Sequence, residues 1–466
     1  MDVVIKQDDE LLQIPSAYSQ INFMQKVRFK PNENWDFQYG FHYSETSPYG
    51  RYDRHNRFRN GTIRYAKWNY GPQKWMMNNL NISHSGNNPV YDQMSLRLAQ
   101  QSFEESRIDR SFNKNRRRSR VENVEAYSAN LDFTESTGSK NTLYYGLEYV
   151  LNDVSSNGTE TDISTGIVSD GPDRYPKSTW TSVAAYVNDE FRVSDKLTLQ
   201  GGVRYNQFML DANFSNNTDF YPFPFTTAEI NNGALTGSIG SVYRPTEKWA
   251  IRANFGTAFR SPNIDDIGKV FDSEPGSVVV PNPDLQAEYA YNFDLGISKV
   301  FGEVVKVDVT GYYTILQNAL VRRDFQLNGQ ASIIYDGLMS KVQAIQNAAV
   351  ANVYGVQAGL EVKLPAGFMW LTDLNYQIGE EELDDGTTSA SRHAAPFFGV
   401  SRLRYTHNDL TLELNTMFQG ERSFDDLAVS EQGKDEIYAK DANGNNYSPA
   451  WYTLNLKAMY QLTESF

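Results

Sequence analysis

Cysteine is absent from the 466 residues, which excludes disulfides, thiolate metal sites and a cysteine nucleophile. Histidine is scarce, with five copies scattered along the chain, and His42 and His55 stand too isolated to suggest a metal centre. No run of about 18 apolar residues occurs, so a membrane-spanning helix is excluded. Nucleophile elbows, phosphate loops, HExxH and kinase signatures are missing, and the carboxylates form no identifiable acid–base pair; an enzyme is not expected. The opening residues MDVVIKQDDELLQIP have neither the basic nor the apolar region of a secretory signal. By itself that start reads as cytoplasmic. The end, AWYTLNLKAMYQLTESF, stops directly after an alternating segment, and the expectation is a chain cut at both ends.

What is present is aromatic and polar at once. Aromatics reach 13%, with 29 Tyr and 26 Phe, while the mean hydropathy is −0.55 and the net charge −14. A chain of this length would by default form about three soluble domains, each with its own core. This composition suits none of them.

Period two organises the chain. Leu197, Leu199, Gly201, Val203 and Tyr205 fall on one face of a strand, with Thr198, Gln200, Gly202, Arg204 and Asn206 on the other. Val305, Val307 and Val309 alternate with Lys306, Asp308 and Thr310, and Leu410, Leu412 and Leu414 with Thr411, Glu413 and Asn415. About seventeen such segments can be traced, many of roughly ten residues, long enough to cross an apolar layer when tilted. Short turns, as at 31–34, 85–89, 137–140, 194–196, 245–247, 301–303, 365–367 and 407–409, carry Gly, Pro, Asn and Asp. Between them lie long polar connections at 47–72, 108–120, 154–179, 212–231, 260–286, 318–350, 381–394 and 421–450.

Strict short-long alternation puts all the turns at one end of a sheet and all the loops at the other, as in an outer-membrane barrel. A sandwich array or a propeller would give irregular loops or a fixed repeat. The fold expected is therefore all-β, a transmembrane antiparallel up-and-down β-barrel. Trp35, Phe37, Tyr39 and Phe41, Trp249, Phe255 and Phe259, Trp370 and Tyr376, and Trp451 and Tyr452 supply its interfacial girdles. Single-chain bacterial barrels have an even strand number, so about seventeen strands imply a partial barrel. Arg204, Lys306, Asp308, Arg402, Arg404 and Glu413 suit a wet lumen.

Residues 248–297 contain Phe259, Arg260, Ser261 and Pro262 at a strand end, then Asn282, Pro283, Asp284 and Leu285 opening the next strand. This pair of boxes resembles the barrel of TonB-dependent outer-membrane receptors, and the stretches SRHAAPFFGVSRLRYTHNDLTLELN and NNYSPAWYTLNLKAMYQL resemble that family's last third. The resemblance covers essentially all of residues 1–466 as one barrel domain. It implies a barrel of about 22 strands around a plug of roughly 150 residues, with the plug, the signal peptide, about three early strands and two late ones outside this sequence. It further implies TonB-coupled import of a scarce ligand, such as a siderophore or haem iron complex, across the outer membrane by a monomeric barrel. The TonB contact would lie in the absent plug region. A passive porin, a barrel-embedded hydrolase and a surface receptor for host protein are the alternatives. No cofactor, resident metal or nucleic-acid partner is expected.

Ligand contacts are expected in the loops, where a rigid scaffold displays binding residues. In haem-binding members with these boxes the intervening loop supplies a histidine. Residues 263–281 have none, and offer Asp265, Asp266, Asp272 and Glu274 instead, either oxygen ligands for a hard cation or a solvated acidic loop. With Arg260, Asn282 and Asp284 these are candidate ligand contacts. A second group comes from 47–64, where Tyr52, Arg54 and His55 sit among Tyr49, Arg51, Arg57, Phe58 and Arg59, a composition suited to stacking and charge. Arg116, Arg117, Arg118 and Arg120 form a basic run whose expected partner is lipopolysaccharide phosphate, with a solvated loop the plainer alternative.

Overall fold

The structure is a computed structural model describing residues 1–463 apart from Glu10, Asn56, Asn60, 272–275, Asp336, Asp384, His393, Ala395, Pro396 and Glu436; the side chains of Arg59, Ala348 and Ala349 are also outside the description. Asp272 and Glu274 therefore lie outside the described residues.

Period-two alternation yields the expected sheet. Seventeen strands pair in chain order, every neighbour antiparallel: β1 (Gln20–Phe29), β2 (Trp35–Thr46), β3 (Lys74–Ser85), β4 (Gln93–Ser111), β5 (Arg116–Thr137), β6 (Asn141–Asp162), β7 (Lys177–Ser194), β8 (Leu197–Asn213), β9 (Thr227–Tyr243), β10 (Trp249–Arg260), β11 (Glu288–Phe301), β12 (Val305–Asp324), β13 (Leu338–Lys363), β14 (Phe368–Glu382), β15 (Phe397–His407), β16 (Leu410–Gln419) and β17 (Trp451–Tyr460). With short additional strands in the loops they make one 23-stranded sheet. Among the described residues β1 pairs only with β2, and β17 only with β16. No helix is long and apolar enough to cross a membrane.

The two faces differ as the alternation demands. Leu147, Val203, Ile239 and Leu295 project from the outer surface, exposed by 56%, 55%, 65% and 56%, a condition tolerable only against lipid. The opposite face carries charge in pairs. Arg204 bonds Glu148 at 2.5 Å, Arg404 bonds Glu413 at 2.7 Å, Arg402 reaches Asp373 at 3.4 Å and Lys306 meets Asp308 at 2.9 Å. At the short-turn end, ring contacts run from strand to strand: Trp35 to His84 at 4.3 Å, His84 to Tyr91 at 5.7 Å, Tyr91 to Phe133 at 5.4 Å and Phe133 to Tyr145 at 5.2 Å. This is one girdle. Tyr39, Tyr127 and Tyr149 share the outer face farther from the short turns.

Several long connections are shorter than expected. Residues 108–111 and 116–120 continue β4 and β5 as a ladder, and 154–162, 318–324 and 338–350 belong to β6, β12 and β13. Above the girdle a strand has water on both faces, so its sequence loses the apolar alternation while the backbone ladder persists.

The loop after β10 folds back over the lumen. A helix, α1 (Ile264–Gly268), begins at Asn263, whose side chain accepts from the backbone N–H of Asp265 and Asp266, while the Asp266 carboxylate accepts from the Asn263 N–H. Ile267, Leu285 and Ala287 bury themselves against Phe208, Leu210, Phe214, Ala228 and Ile230 of the inner wall and its loop. Ser277–Val280 pairs in parallel with Lys341–Ala344 of β13, and Val278 and Val280 pack with Val342, Leu327 and Ile333. Each such buried aliphatic or aromatic side chain contributes about 1.5–3 kcal/mol. The loop cap is thus a small apolar core inside the mouth.

Candidate ligand-binding site

The wall above the girdle and four loops meet at one place. Upper β4 and upper β5 set Arg107 opposite Arg120 and Asp109 opposite Arg118. The loop between β2 and β3 adds a strand, Tyr65–Tyr70, that pairs with 107–111 of β4, and Tyr49 and Gly50 pair with its end. This docks Arg54, Arg64, Trp68 and Tyr70 beside Arg107. Arg174, from the β6–β7 loop, Lys269 and Phe271, from the loop cap, and Tyr335, from the β12–β13 loop, close the far side. Together they line a cavity of about 190 Å³.

Most of its cations lie against rings. Arg54 stands 5.5 Å from the Trp68 ring, Arg107 5.3 Å from Tyr70, Arg64 4.8 Å from Tyr65, Arg174 5.2 Å from Tyr175 and Lys269 4.5 Å from Phe271. Arg51 supports them from behind, stacking on Trp68 and Tyr70 at 5.3 and 5.6 Å while Asp53 holds its guanidinium at 2.5 Å. Among the described residues Asp109 is the single carboxylate in the lining, 3.7 Å from Arg118 and 3.9 Å from Arg120. Glu122 accepts from Arg107 at 2.8 Å, and Glu105 also pairs with Arg107. The Nε atoms of Arg54 and Arg174 are buried without a hydrogen-bond partner. Burial, with Arg57 and Arg51 nearby, pushes the pKa of Arg54 down from its ordinary value.

Tyr175 links this cavity to the loop cap, donating to Asp265 at 2.7 Å. Lys269 donates to the same carboxylate at 2.6 Å. Burial opposes ionisation of Asp265, yet these two hydrogen bonds hold its pKa below the ordinary carboxylate value; burial pushes the Tyr175 phenol up to about 12.

The box residues are engaged within the fold. Arg260 bonds Glu288 at 2.8 Å and Asp266 at 2.7 Å, and Glu288 accepts from the Leu320 N–H at 2.6 Å. Asn282 donates to the Ile345 carbonyl at 2.8 Å and accepts from the Asp284 N–H at 3.2 Å. Asp284 is exposed. The boxes thereby fasten both ends of the loop cap to β11, β12 and β13. Tyr52 and His55 face a different cavity, of about 600 Å³, beneath the segment Asp2–Leu12, whereas Arg54 faces the cationic one. Asp2 ties that segment to Arg110 at 2.7 Å. Burial holds the His55 imidazole below its ordinary pKa.

Strand alternation splits the basic run. Arg118 and Arg120 enter the cavity; Arg116, on the same face but nearer the tip, bonds Glu160 at 3.0 Å and is exposed; Arg117 lies on the other face. Arg107, Arg174 and Lys269 escaped sequence reasoning because none of them stands in a dense basic run. The pairing of RIDR at 107–110 with RRRSR at 116–120 across one hairpin was the available signal.

A family model described as TonB dependent receptor-like, beta-barrel, matches residues 10–466. Over 245 residues the chain is 24% identical to hemoglobin-haptoglobin utilization protein B of Neisseria meningitidis serogroup A, covering 47% of this chain and 29% of that protein. Among solved structures it resembles the copper transporter OprC with a TM-score of 0.74 at 14% identity, covering 97% of this chain and 64% of that one. The ferric yersiniabactin uptake receptor FyuA from Yersinia pestis gives a TM-score of 0.64 at 15% identity, covering 96% and 64%. The chain thus spans less than two thirds of each relative's length, and at these identities the structural likeness speaks to the fold.

Proposed function

The chain belongs to the TonB-dependent receptor family through its β-barrel, and from that premise we propose that it captures a scarce ligand at the cell surface for TonB-coupled import across the outer membrane. An iron complex, such as a siderophore or haem, is the proposed cargo. The observation that carries this reading is a mouth lined by converging loops and sealed beside the wall by an apolar loop core. A passive porin has no use for such a seal, and nothing in the described loops aligns a nucleophile with a base.

The proposed assembly is larger than the 17 strands described. Open edges on β1 and β17 would leave backbone donors and acceptors unpaired in lipid, at several kcal/mol for each group. Further strands that complete a barrel of about 22, with a plug in its lumen, remove both edges. The plug would carry the TonB contact, and the barrel would act as a monomer. Within the mouth, Arg54, Arg118 and Arg120 are the proposed ligand contacts, with Asp265 and Tyr175 setting the position of the loop cap and Arg260, Asp266 and Asn282 anchoring it. Arg116 is the one base of its run proposed for lipopolysaccharide phosphate.

Uptake of radiolabelled iron complexes by cells carrying the receptor, with and without TonB, tests the reading. TonB-dependent accumulation is expected; accumulation unchanged by loss of TonB would establish a passive channel instead.

A further inference from the structure

We propose that the outer wall holds one anionic glycerophospholipid of the leaflet at the short-turn end, its phosphate on Lys299 and an acyl chain in a groove across β9–β12. Strand register sets the site out in rows. Trp249, Lys299 and Val307 stand side by side near the short turns, with Ile251, Ile297 and Val309 two residues higher. The next row, Ser241, Ala253, Leu295 and Gly311, is mostly small. Above it Phe255, Phe293 and Tyr313 form a shelf, the first two rings 4.6 Å apart. Small residues beneath a row of rings leave a lipid-facing groove of about 720 Å³.

Lys299 identifies the occupant. Alternation places it on the outer face with Ile297 and Leu295, and among the described residues it is the only lysine or arginine on the outer face of the seventeen strands in the half nearer the short turns. Its ammonium lies 3.8 Å from the centroid of the Trp249 ring and 5.2 Å from that of Phe301, and no carboxylate of the described residues pairs with it. The rings hold the ammonium at the membrane interface without cancelling its charge, so it stays available to a phosphate. Depth agrees with charge. Lys299 and Phe293 are six positions apart on β11, which at the usual rise and tilt is roughly 20 Å along the strand and about 14 Å along the membrane normal. One leaflet of the apolar layer is roughly 15 Å deep. A chain running from a phosphate at Lys299 over Ile297 therefore ends beneath the Phe293 shelf. The phosphates of lipopolysaccharide belong to the opposite leaflet, at the long-loop end, and do not reach Lys299. A zwitterionic headgroup would bring a second ammonium to the same place, which favours a lipid of net negative charge. The site is independent of the cargo and of the import reading.

Native mass spectrometry of the delipidated receptor in detergent tests the proposal, with phosphatidylglycerol and a diacylglycerol of the same chains as probes. The first phosphatidylglycerol should bind about fivefold or more tighter than later ones and than diacylglycerol. Lys299→Gln and Gly311→Leu should each erase that margin. A Cβ on Gly311 would meet no atom within 4 Å, so the leucine fills the groove without pushing on the sheet. Lys140→Gln, in another short turn, and Ala185→Leu, on the outer face of β7, are the charge and bulk controls and should keep the margin. Heat-modifiable migration reports folding of every variant. Equal binding of successive phosphatidylglycerols, equal binding of diacylglycerol, survival of the margin in either folded groove variant, its loss in either control, or displacement of the first lipid by lipopolysaccharide overturns the proposal.

Discussion

Arg107 and Arg120 stand directly opposite one another across β4 and β5, two guanidiniums in register on the same face of a ladder. Like charges so placed are destabilising by roughly 0.2–1 kcal/mol. Glu122 relieves Arg107 at 2.8 Å, while Arg120 has Asp109 only at 3.9 Å. The fold therefore tolerates this repulsion. Arg120→Gln should leave the barrel as stable as before or more stable by up to about 1 kcal/mol. Urea unfolding of the detergent-solubilised protein measures this. A loss of stability would show that Arg120 serves the fold.

Arg260 is a different kind of arginine. It joins Glu288 on β11 to Asp266 in α1, and Glu288 is itself only 8% exposed. Removing the guanidinium leaves a nearly buried carboxylate uncompensated. Such breaks cost about 3–5 kcal/mol when fully buried, and the half-exposed arginine lowers that to about 1–3 kcal/mol here. Arg260→Ala should therefore loosen residues 261–287 while the ladder of 17 strands survives. Limited proteolysis would show new cleavage in that segment alone; an intact cap would mean that its apolar core suffices.

The loop between β2 and β3 should respond to acid through His55. Burial depresses its pKa, against the opposing hydrogen bond with the Trp68 backbone and the Asp53 charge. With the folded value below the unfolded one near 6.5, the folded loop binds fewer protons than the unfolded loop across that interval. Its contribution is complete above about 6.5 and declines as pH falls toward the folded value. Hydrogen-exchange protection in residues 47–72, taken relative to the intrinsic exchange rate at each pH, should fall between pH 7.5 and about 5.5, and His55→Gln should flatten that dependence. An equal fall in the variant would place the sensitive group elsewhere.

The membrane made the barrel legible and the water above it made the site hard to read. Within the bilayer, Val203 and Arg204 must face opposite ways, so the residues themselves announce strand, face and register. Above the girdle both faces of β5 are wet. The run at 116–120 then reads as a loop, although its backbone continues the ladder. The cavity was legible only in part: Arg54, Arg118 and Arg120 stand in visible basic clusters, but Arg174 and Lys269 reach them through loop folding that no local pattern encodes. The boxes around Arg260 and Asn282 were conspicuous as a motif, and what the motif encodes locally is a cap's two fastenings.

Phe208 shows where the alternation changes meaning. It occupies the inward face of β8, two residues beyond Asn206 and four beyond the ion-paired Arg204, at a position where a wet lumen calls for a polar side chain. Instead it is fully buried, stacked 5.9 Å from Phe259 and packed with Ile267 and Leu285 of the cap. Leu210 and Ala212 continue the same apolar face. The lumen wall therefore switches from wet to dry where the cap docks, and the seal depends on that switch. Phe208→Ala should cost about 3–5 kcal/mol locally by opening a cavity beneath the cap. With the cap loosened, cells carrying the variant should become sensitive to a large antibiotic such as vancomycin that the outer membrane normally excludes. Phe208→Leu, which keeps most of the volume, should restore resistance. Unchanged exclusion by the Ala variant, with its cap shown by proteolysis to be loose, would mean that other parts of the lumen carry the barrier.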